Sequence, residues 1–213
     1  MATLLATKFN GTEPQNGLGS AYEWPLANVG GTTLSVDGVT IPKSFRFIDC
    51  DAYCNYDELR IWQSSDTNIL DVLSYAAISY VWKGNHQPLP SMSFAVEGAE
   101  DGDRISLDVI RIACQFTLNK GAHYLWLDRV SIIQKIEHKA DRNWQIMNMA
   151  DVYRCCRICI VLPGGIGGFV DADEQTSWIN RSWTLQEALL PVEAVCLIRW
   201  DLGSGWLQNS NEN

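Results

Sequence analysis

Residues 76–82, AAISYVW, decide the fold, because such an almost unbroken apolar run is typical of a strand buried on both faces of a parallel sheet. Similar runs follow at 123–128 (HYLWLD), at 157–162 (RICIVL) and at 194–200 (AVCLIRW), and each predicts a further strand. The four runs therefore predict an α/β fold with a mostly parallel sheet.

Two helical patterns lie between the first three strands. Residues 108–120 repeat apolar side chains at helical spacing and stop at Gly121, a residue type that commonly ends helices. Residues 137–156 form the second pattern. Its predicted inward face consists of Ile146, Met147, Ala150 and Tyr153. Residues 85–103 are predicted to be a long polar loop. The alternation predicts a doubly wound sheet, in which ligands bind outside the carboxyl ends of the strands.

The N-terminal part of the chain shows weaker patterns. Residues 1–43 are rich in Gly, Asn, Thr and Pro and predict a loosely ordered arm, with a small hairpin at 32–41 around the turn signal Asp37–Gly38. Residues 45–50 (FRFIDC) and 58–62 (ELRIW) alternate apolar and polar side chains. We expect these two stretches to form a β-hairpin extension on one edge or face of the main sheet.

The bulk properties limit the possible functions. The main domain is predicted to cover residues 44–200, followed by a polar tail at 201–213. A hydrophobic fraction of 46% supports a substantial core, and a net charge of −9 argues against binding to nucleic acid. No apolar run approaches the ~20 residues of a membrane span, and the N-terminus lacks the pattern of a signal peptide. We therefore expect a cytoplasmic protein.

The seven cysteines show no disulfide framework. Cys155, Cys156 and Cys159 are clustered, but a zinc site would require a second pair of ligands, and no histidine stands at ligand spacing. We expect buried free thiols and no metal.

The most suggestive stretch for function is RSWTLQEALL at 181–190. Ser182 is a favourable N-cap residue, and a helix that begins there would place Trp183 and Glu187 on one face. An aromatic plate beside a carboxylate suits the binding of a sugar or nucleotide. The alternative is that Trp183 packs in the core and that Glu187 is an ordinary exposed glutamate.

Two other sites lie near the predicted crevice. Asp128 ends the second strand, where a carboxylate either faces the ligand or caps the next turn. Residues 163–168, PGGIGG, are rich in glycine, as phosphate-binding loops are, but they lack the spacing of the known phosphate-binding glycine motifs. We expect a flexible loop there instead.

Four ordered motifs support a family resemblance. They are YAAISYVWKG at 75–84, YLWLDRVSIIQ at 124–134, NWQIMNMADVYRCCRICIVL at 143–162 and RSWTLQEALL at 181–190. Together they resemble the heterokaryon-incompatibility (HET) domain of filamentous fungi over about residues 45–200. That family triggers cell death when genetically unlike fungal cells fuse.

The HET fold looks related to TIR domains, the flavodoxin-like modules of immunity. Trp183, Leu185, Glu187 and Leu190 resemble the W-C-L-x-E-L pattern of plant TIR domains, with Thr184 in the cysteine position and Ala188 where leucine is usual. The resemblance implies that Glu187 is the catalytic residue of an enzyme that cleaves NAD between nicotinamide and ribose. NAD is then a substrate and no cofactor is expected. The residues predicted to bind it are Ser79, Tyr80, Trp82, Gly84, Trp126, Asp128 and Trp183.

The chemistry is compatible with these residue types. Cleavage of an N-glycosidic bond builds positive charge on the ribose, which a nearby carboxylate stabilises. Nicotinamide is already a good leaving group, so a single carboxylate suffices, and aromatic side chains can stack on nicotinamide or adenine. The sequence leaves the choice between NAD and NADP open.

The sequence departs from the family pattern at three positions. Lys83 is inserted into the usual SYxWG motif, Ser131 replaces a cysteine, and Ile133 replaces a polar residue. If that polar group touches the ligand, the activity is weakened or altered.

Two other functions remain open. The domain can be a non-catalytic signalling module that assembles with itself or with a partner incompatibility or regulatory protein. It can also be a flavodoxin-like binder of a flavin or another nucleotide, although no phosphate-cradling motif supports this. TIR enzymes often self-associate to complete their site, so catalysis and assembly can coexist. The chain is either a bare HET domain or a fragment of a longer protein.

Overall fold

A computed structural model describes residues 2–11 and 17–199. The strands of the described part are β1 (Thr3–Leu5), β2 (Thr7–Lys8), β3 (Ser20–Pro25), β4 (Thr33–Ser35), β5 (Phe45–Asp49), β6 (Glu58–Ser64), β7 (Tyr75–Tyr80), β8 (Ser93–Val96), β9 (Ile105–Ser106), β10 (Tyr124–Trp126), β11 (Ile158–Leu162) and β12 (Ala194–Cys196). The α-helices are α1 (Leu26–Val29), α2 (Cys50–Asn55), α3 (Ile69–Val72), α4 (Leu107–Asn119), α5 (Asp128–Ser131), α6 (Lys139–Cys155) and α7 (Thr184–Leu189). Single 3₁₀ turns lie at Pro90–Met92, Ile136–His138 and Trp178–Asn180.

The main sheet has eight strands in the order β12-β11-β7-β10-β5-β6-β3-β2. The first four strands of that order pair in parallel, and the others pair antiparallel. Numbered along the chain, the four parallel strands have the order 4-3-1-2. The predicted α/β class and the four predicted strands are confirmed, but the sheet is mixed rather than mostly parallel.

The predicted N-terminal hairpin is confirmed as an antiparallel pair of β5 and β6. The connection is not a tight turn but helix α2, which Asp49 caps by accepting a hydrogen bond from the backbone N–H of Ala52. Because β5 also pairs with β10, the hairpin continues the parallel sheet at its edge.

The predictions for three N-terminal and loop segments need correction. Part of the predicted loose arm forms β3, which pairs along its whole length with β6 and buries Tyr22 and Trp24. The small hairpin predicted at 32–41 is wrong, because β4 pairs in parallel with β1 and β8 in a second, four-stranded sheet. The predicted polar loop at 85–103 contains buried β8.

Two cores cover the two faces of β7. Ile78 belongs to the core beneath α4, and Ala77 belongs to the core beneath α6. Alternate side chains of β7 point to opposite faces and both faces are covered, so the strand is apolar at nearly every position. This is why the run at 76–82 has no polar alternation.

The predicted inward face of α6 is partly wrong. Tyr153 is buried, but Met147 is 82% exposed, and the buried side includes Asp141 and Gln145. Asp141 faces inward because the buried guanidinium of Arg46 lies against α6, with its Nη1 3.1 Å from Oδ2 of Asp141. The side-chain amide of Gln145 donates to the backbone carbonyl of Ser44. Burying a charge is costly unless it is paired, so this helix places a carboxylate where periodicity predicts an apolar side chain.

The predicted tail at 201–213 lies outside the described residues.

Candidate functional site

A cavity of about 290 Å³ lies beyond the carboxyl ends of β7 and β10. Its apolar lining residues are Trp82, Ile132, Ile146, Met149 and Trp183. Its polar lining residues are Asp128, Gln134, Arg142, Arg181 and Glu187. Trp82 and Asp128 follow β7 and β10 directly, so the sheet topology brings them to the same edge, as expected for an open parallel sheet.

Glu187 lies on α7 and is only 4% exposed. Its Oε2 accepts a hydrogen bond of 2.5 Å from the hydroxyl of Ser79, a residue of β7. Arg181 donates to both carboxylate oxygens, at 3.2 Å and 3.3 Å. The indole nitrogen of Trp178 donates to the Ser79 oxygen at 2.7 Å, which orients the serine hydroxyl toward Glu187. The carboxylate is therefore held in a fixed position at the cavity wall.

The surroundings of Glu187 change its acidity. Burial is the largest effect and raises the pKa of the carboxyl group above its ordinary value, because a charged carboxylate is poorly solvated there. The hydrogen bond from Ser79 and the positive charge of Arg181 act in the opposite direction, and the negative charge of Asp128 adds to the rise. Glu187 is thus a carboxylate that takes up a proton more readily than a solvent-exposed glutamate.

Asp128 is the second carboxylate of the cavity. Its Oδ1 accepts from the hydroxyl of Tyr80 at 2.6 Å, and its Oδ2 accepts from the indole nitrogen of Trp82 at 2.7 Å. Oδ1 also accepts from the backbone N–H of Arg129 at the start of α5. Both alternatives raised by the sequence therefore apply, since Asp128 lines the cavity and also bonds the next turn.

The predicted binding residues fall into three groups. Trp82, Asp128 and Trp183 line the cavity beside Glu187. Ser79 and Tyr80 are buried behind the wall and hold the two carboxylates. Trp126 and Gly84 are not among the lining residues.

Trp126 and Gly84 are packing residues in this structure. Trp126 is fully buried, and its ring packs edge-on against that of Tyr153, with the two ring centroids 5.6 Å apart. Gly84 lies against the glycine loop at 163–168, and a Cβ atom added to it would be 2.0 Å from the carbonyl oxygen of Gly164. This loop is packed rather than open, because the backbones meet without side chains between them.

The sequence reasoning missed two charged residues of the site, namely Arg181 and Arg142. Arg181 opens the quoted 181–190 motif six residues before Glu187, and an opposite charge at that distance was an available signal. Ser182 does not cap the helix, because α7 begins at Thr184 and Trp183 occupies the N-cap position without a side-chain hydrogen bond.

None of the three departures from the family pattern is a lining residue of the cavity. Ile133 is buried and does not line the cavity, although both of its neighbours do. Lys83 is exposed. The hydroxyl of Ser131 accepts from the backbone N–H of Leu127 and stabilises α5.

All seven cysteines are free, and four of them are buried: Cys50, Cys114, Cys156 and Cys159. Over residues 2–11 and 17–199, no three His, Cys, Asp or Glu side chains are grouped to hold a metal ion. None of the helices described is both long enough and apolar enough to cross a membrane.

One of three comparisons with known proteins found a match. Residues 75–168 match the model of the family described as Heterokaryon incompatibility protein (HET). No curated protein and no solved structure matched significantly. The matched segment contains β7, α4, β10, α6 and β11, and it supplies Trp82, Asp128 and Arg142 to the cavity. Over residues 75–168 the chain is thus similar to the heterokaryon-incompatibility family, as its motifs predicted.

Proposed function

We propose that the protein acts in fungal heterokaryon incompatibility by hydrolysing NAD at the bond between nicotinamide and ribose, in the cytoplasm. The observation that carries this proposal is the buried carboxylate of Glu187, which Ser79 and Arg181 fix at the wall of a cavity. Side chains that hold a charged group in place before the reaction lower the cost of reorganisation in the transition state.

In the proposed reaction, the C–N bond to ribose breaks and its electron pair moves to the pyridinium nitrogen of nicotinamide. The positive charge that develops on the ribose is stabilised by the carboxylate of Glu187. A water oxygen then bonds to the anomeric carbon and releases its proton to solvent. Glu187 acts in its ionised form, and Arg181 favours this form because its positive charge lowers the pKa that burial raises.

Asp128 and the two cavity tryptophans have separate roles in this proposal. The carboxylate of Asp128, oriented by Tyr80 and Trp82, accepts hydrogen bonds from ribose hydroxyls. Trp183 is 47% exposed at the cavity opening and offers a flat surface for a nicotinamide or adenine ring. Both carboxylates thus contact the sugar from different walls.

The strand order supports a flavodoxin-like or TIR-like assignment for the main domain. Read from the other end, the parallel strands have the order 2-1-3-4, which corresponds to the beginning of the flavodoxin-like order. In such folds the ligand crevice lies where the strand order reverses, between the first and third strands. Here those strands are β7, which carries Ser79, and β11, which leads to the segment with Glu187.

The first experiment measures nicotinamide release from NAD by the wild-type protein and by Glu187→Gln. We expect the variant to lose roughly 100-fold or more of the rate, because the amide cannot supply negative charge. Glu193→Gln is the matched control, since Glu193 is an exposed carboxylate outside the cavity whose partner is Lys120. Equal rates for wild type and Glu187→Gln, or no release by any of the three proteins, would contradict the proposal.

A non-catalytic assembly module is the second candidate. The observation in its favour is that α7 turns Leu185 and Leu189 outward, 68% and 71% exposed. Exposed apolar side chains on one helix are typical of a surface that contacts another protein. Self-association or a partner incompatibility protein would cover them.

A further inference from the structure

We propose that Arg142 forms a phosphate-binding subsite at the opening of the cavity and that the ligand is a phosphate-bearing nucleotide. This inference rests on the proposed function, since it concerns the same cavity. It adds the position of the pyrophosphate, which no motif in the sequence indicated.

Arg142 has no ionic or hydrogen-bond partner among the residues that the structure describes, although it lines a cavity with two carboxylates. Both of those carboxylates are bonded to other groups. Asp128 accepts from Tyr80, Trp82 and a backbone N–H, and Glu187 accepts from Ser79 and Arg181. The guanidinium of Arg142 is therefore available to a ligand.

The burial of the lining residues orients the ligand. Glu187 is nearly fully buried, whereas Arg142 is exposed, so the first marks the inner end and the second the rim. The cavity, at about 290 Å³, is at the small end of ligand sites, which are typically about 300–1,000 Å³. A dinucleotide would place its reacting ribose inside and its phosphates at the rim.

The choice of arginine fits a phosphate. The planar guanidinium forms two parallel hydrogen bonds to phosphate oxygens, and it stays protonated at all physiological pH values. The chain carries a net charge of −9, which repels an anionic ligand at long range. The cationic side chain of Arg142 at the opening reduces that repulsion where the ligand enters.

The test is calorimetric titration of the full chain with ADP-ribose, which has the sugar and both phosphates but no nicotinamide to release. We compare wild type, Arg142→Gln and the control Arg154→Gln. Arg154 lies on the same helix, outside the cavity, and is paired with Asp151. Loss of charged hydrogen bonds predicts about a tenfold rise in Kd for Arg142→Gln and no change for Arg154→Gln. Added salt should weaken binding less in Arg142→Gln than in wild type.

The outcomes separate this inference from the proposed function. Equal binding by wild type and Arg142→Gln, or no binding of ADP-ribose by wild type, overturns the phosphate subsite even if nicotinamide is released from NAD. Arg142-dependent binding without nicotinamide release supports the subsite and overturns the hydrolase.

Discussion

Two carboxylates share one cavity but differ in their surroundings. Glu187 is 4% exposed, while Asp128 is partly open to solvent and accepts three hydrogen bonds. Because burial outweighs the opposing effects of Ser79 and Arg181, the pKa of Glu187 is raised. A raised pKa also affects folding, since it makes the stability of the protein depend on pH.

Native Glu187 keeps its proton at pH values where the unfolded chain has lost it, so this group binds more protons in the native state. Its contribution to the free energy of unfolding therefore falls as the pH rises from its ordinary value, 4.5, through the raised pKa. We predict that Glu187→Gln removes this dependence. The difference in unfolding free energy, variant minus wild type, should increase with pH across that window in urea titrations. Glu193→Gln serves as the control. A flat difference would show that folding does not change the pKa of Glu187, and a difference that falls with pH would show that folding lowers it.

At the scale of elements, the sequence predicted those strands that are buried on both faces. The apolar runs at 76–82 and 157–162 predicted β7 and β11 to within two residues at each end, because both faces demand apolar side chains. The face of α6 was predicted less well. Its buried Asp141 is explained by Arg46 and by the backbone N–H of Lys43, both about a hundred positions away in the chain, and periodicity carries no information about such partners.

The residues of the candidate site also divide into those that local sequence predicts and those that depend on packing between distant segments. Glu187 and Asp128 could be predicted because their positions depend on the local motif and on the strand ends. Trp178 and Arg142 could not, because their roles depend on how the segment before α7 and the first turns of α6 pack around the cavity.

The contact between the loop after β7 and the glycine loop after β11 gives a prediction for these elements. In Gly84→Ala the new Cβ would collide with the carbonyl oxygen of Gly164, so the backbones must separate. We expect a loss of roughly 1–3 kcal/mol of stability, typical of overpacking, and a melting temperature lower by several degrees. Thermal unfolding followed by circular dichroism measures this.

Gly19→Ala is the matched control for that experiment. A Cβ atom added at Gly19 would be 3.9 Å from the backbone oxygen of Gln63, which is an ordinary contact distance. If Gly84→Ala melts at the same temperature as Gly19→Ala, the two loops are not in the close contact described.

At the scale of the whole molecule, the apolar side chains of α7 predict assembly. We expect the wild-type protein to self-associate with increasing concentration and the double variant Leu185→Asp, Leu189→Asp to remain monomeric, because charges on α7 would have to be desolvated in the contact. Sedimentation velocity over a range of concentrations measures this.

Tyr56→Asp is the control for assembly. Tyr56 is also exposed, 65%, but it follows α2, which packs against α4 rather than α7. A monomeric wild type at the highest concentration, or equal association by the double variant, would exclude α7 as the contact surface.

The continuous main sheet also limits how the cavity can be transplanted into another protein. A graft that starts at residue 44 would leave out β3, and residues 58–63 of β6, which pair with β3, would then lie on a new edge with unpaired peptide groups. Such edges recruit strands from neighbouring molecules and promote aggregation. A graft limited to residues 75–168 would in addition lose Arg181 and Glu187. The portable unit is therefore the sheet with its N-terminal strands, from β2 through β12.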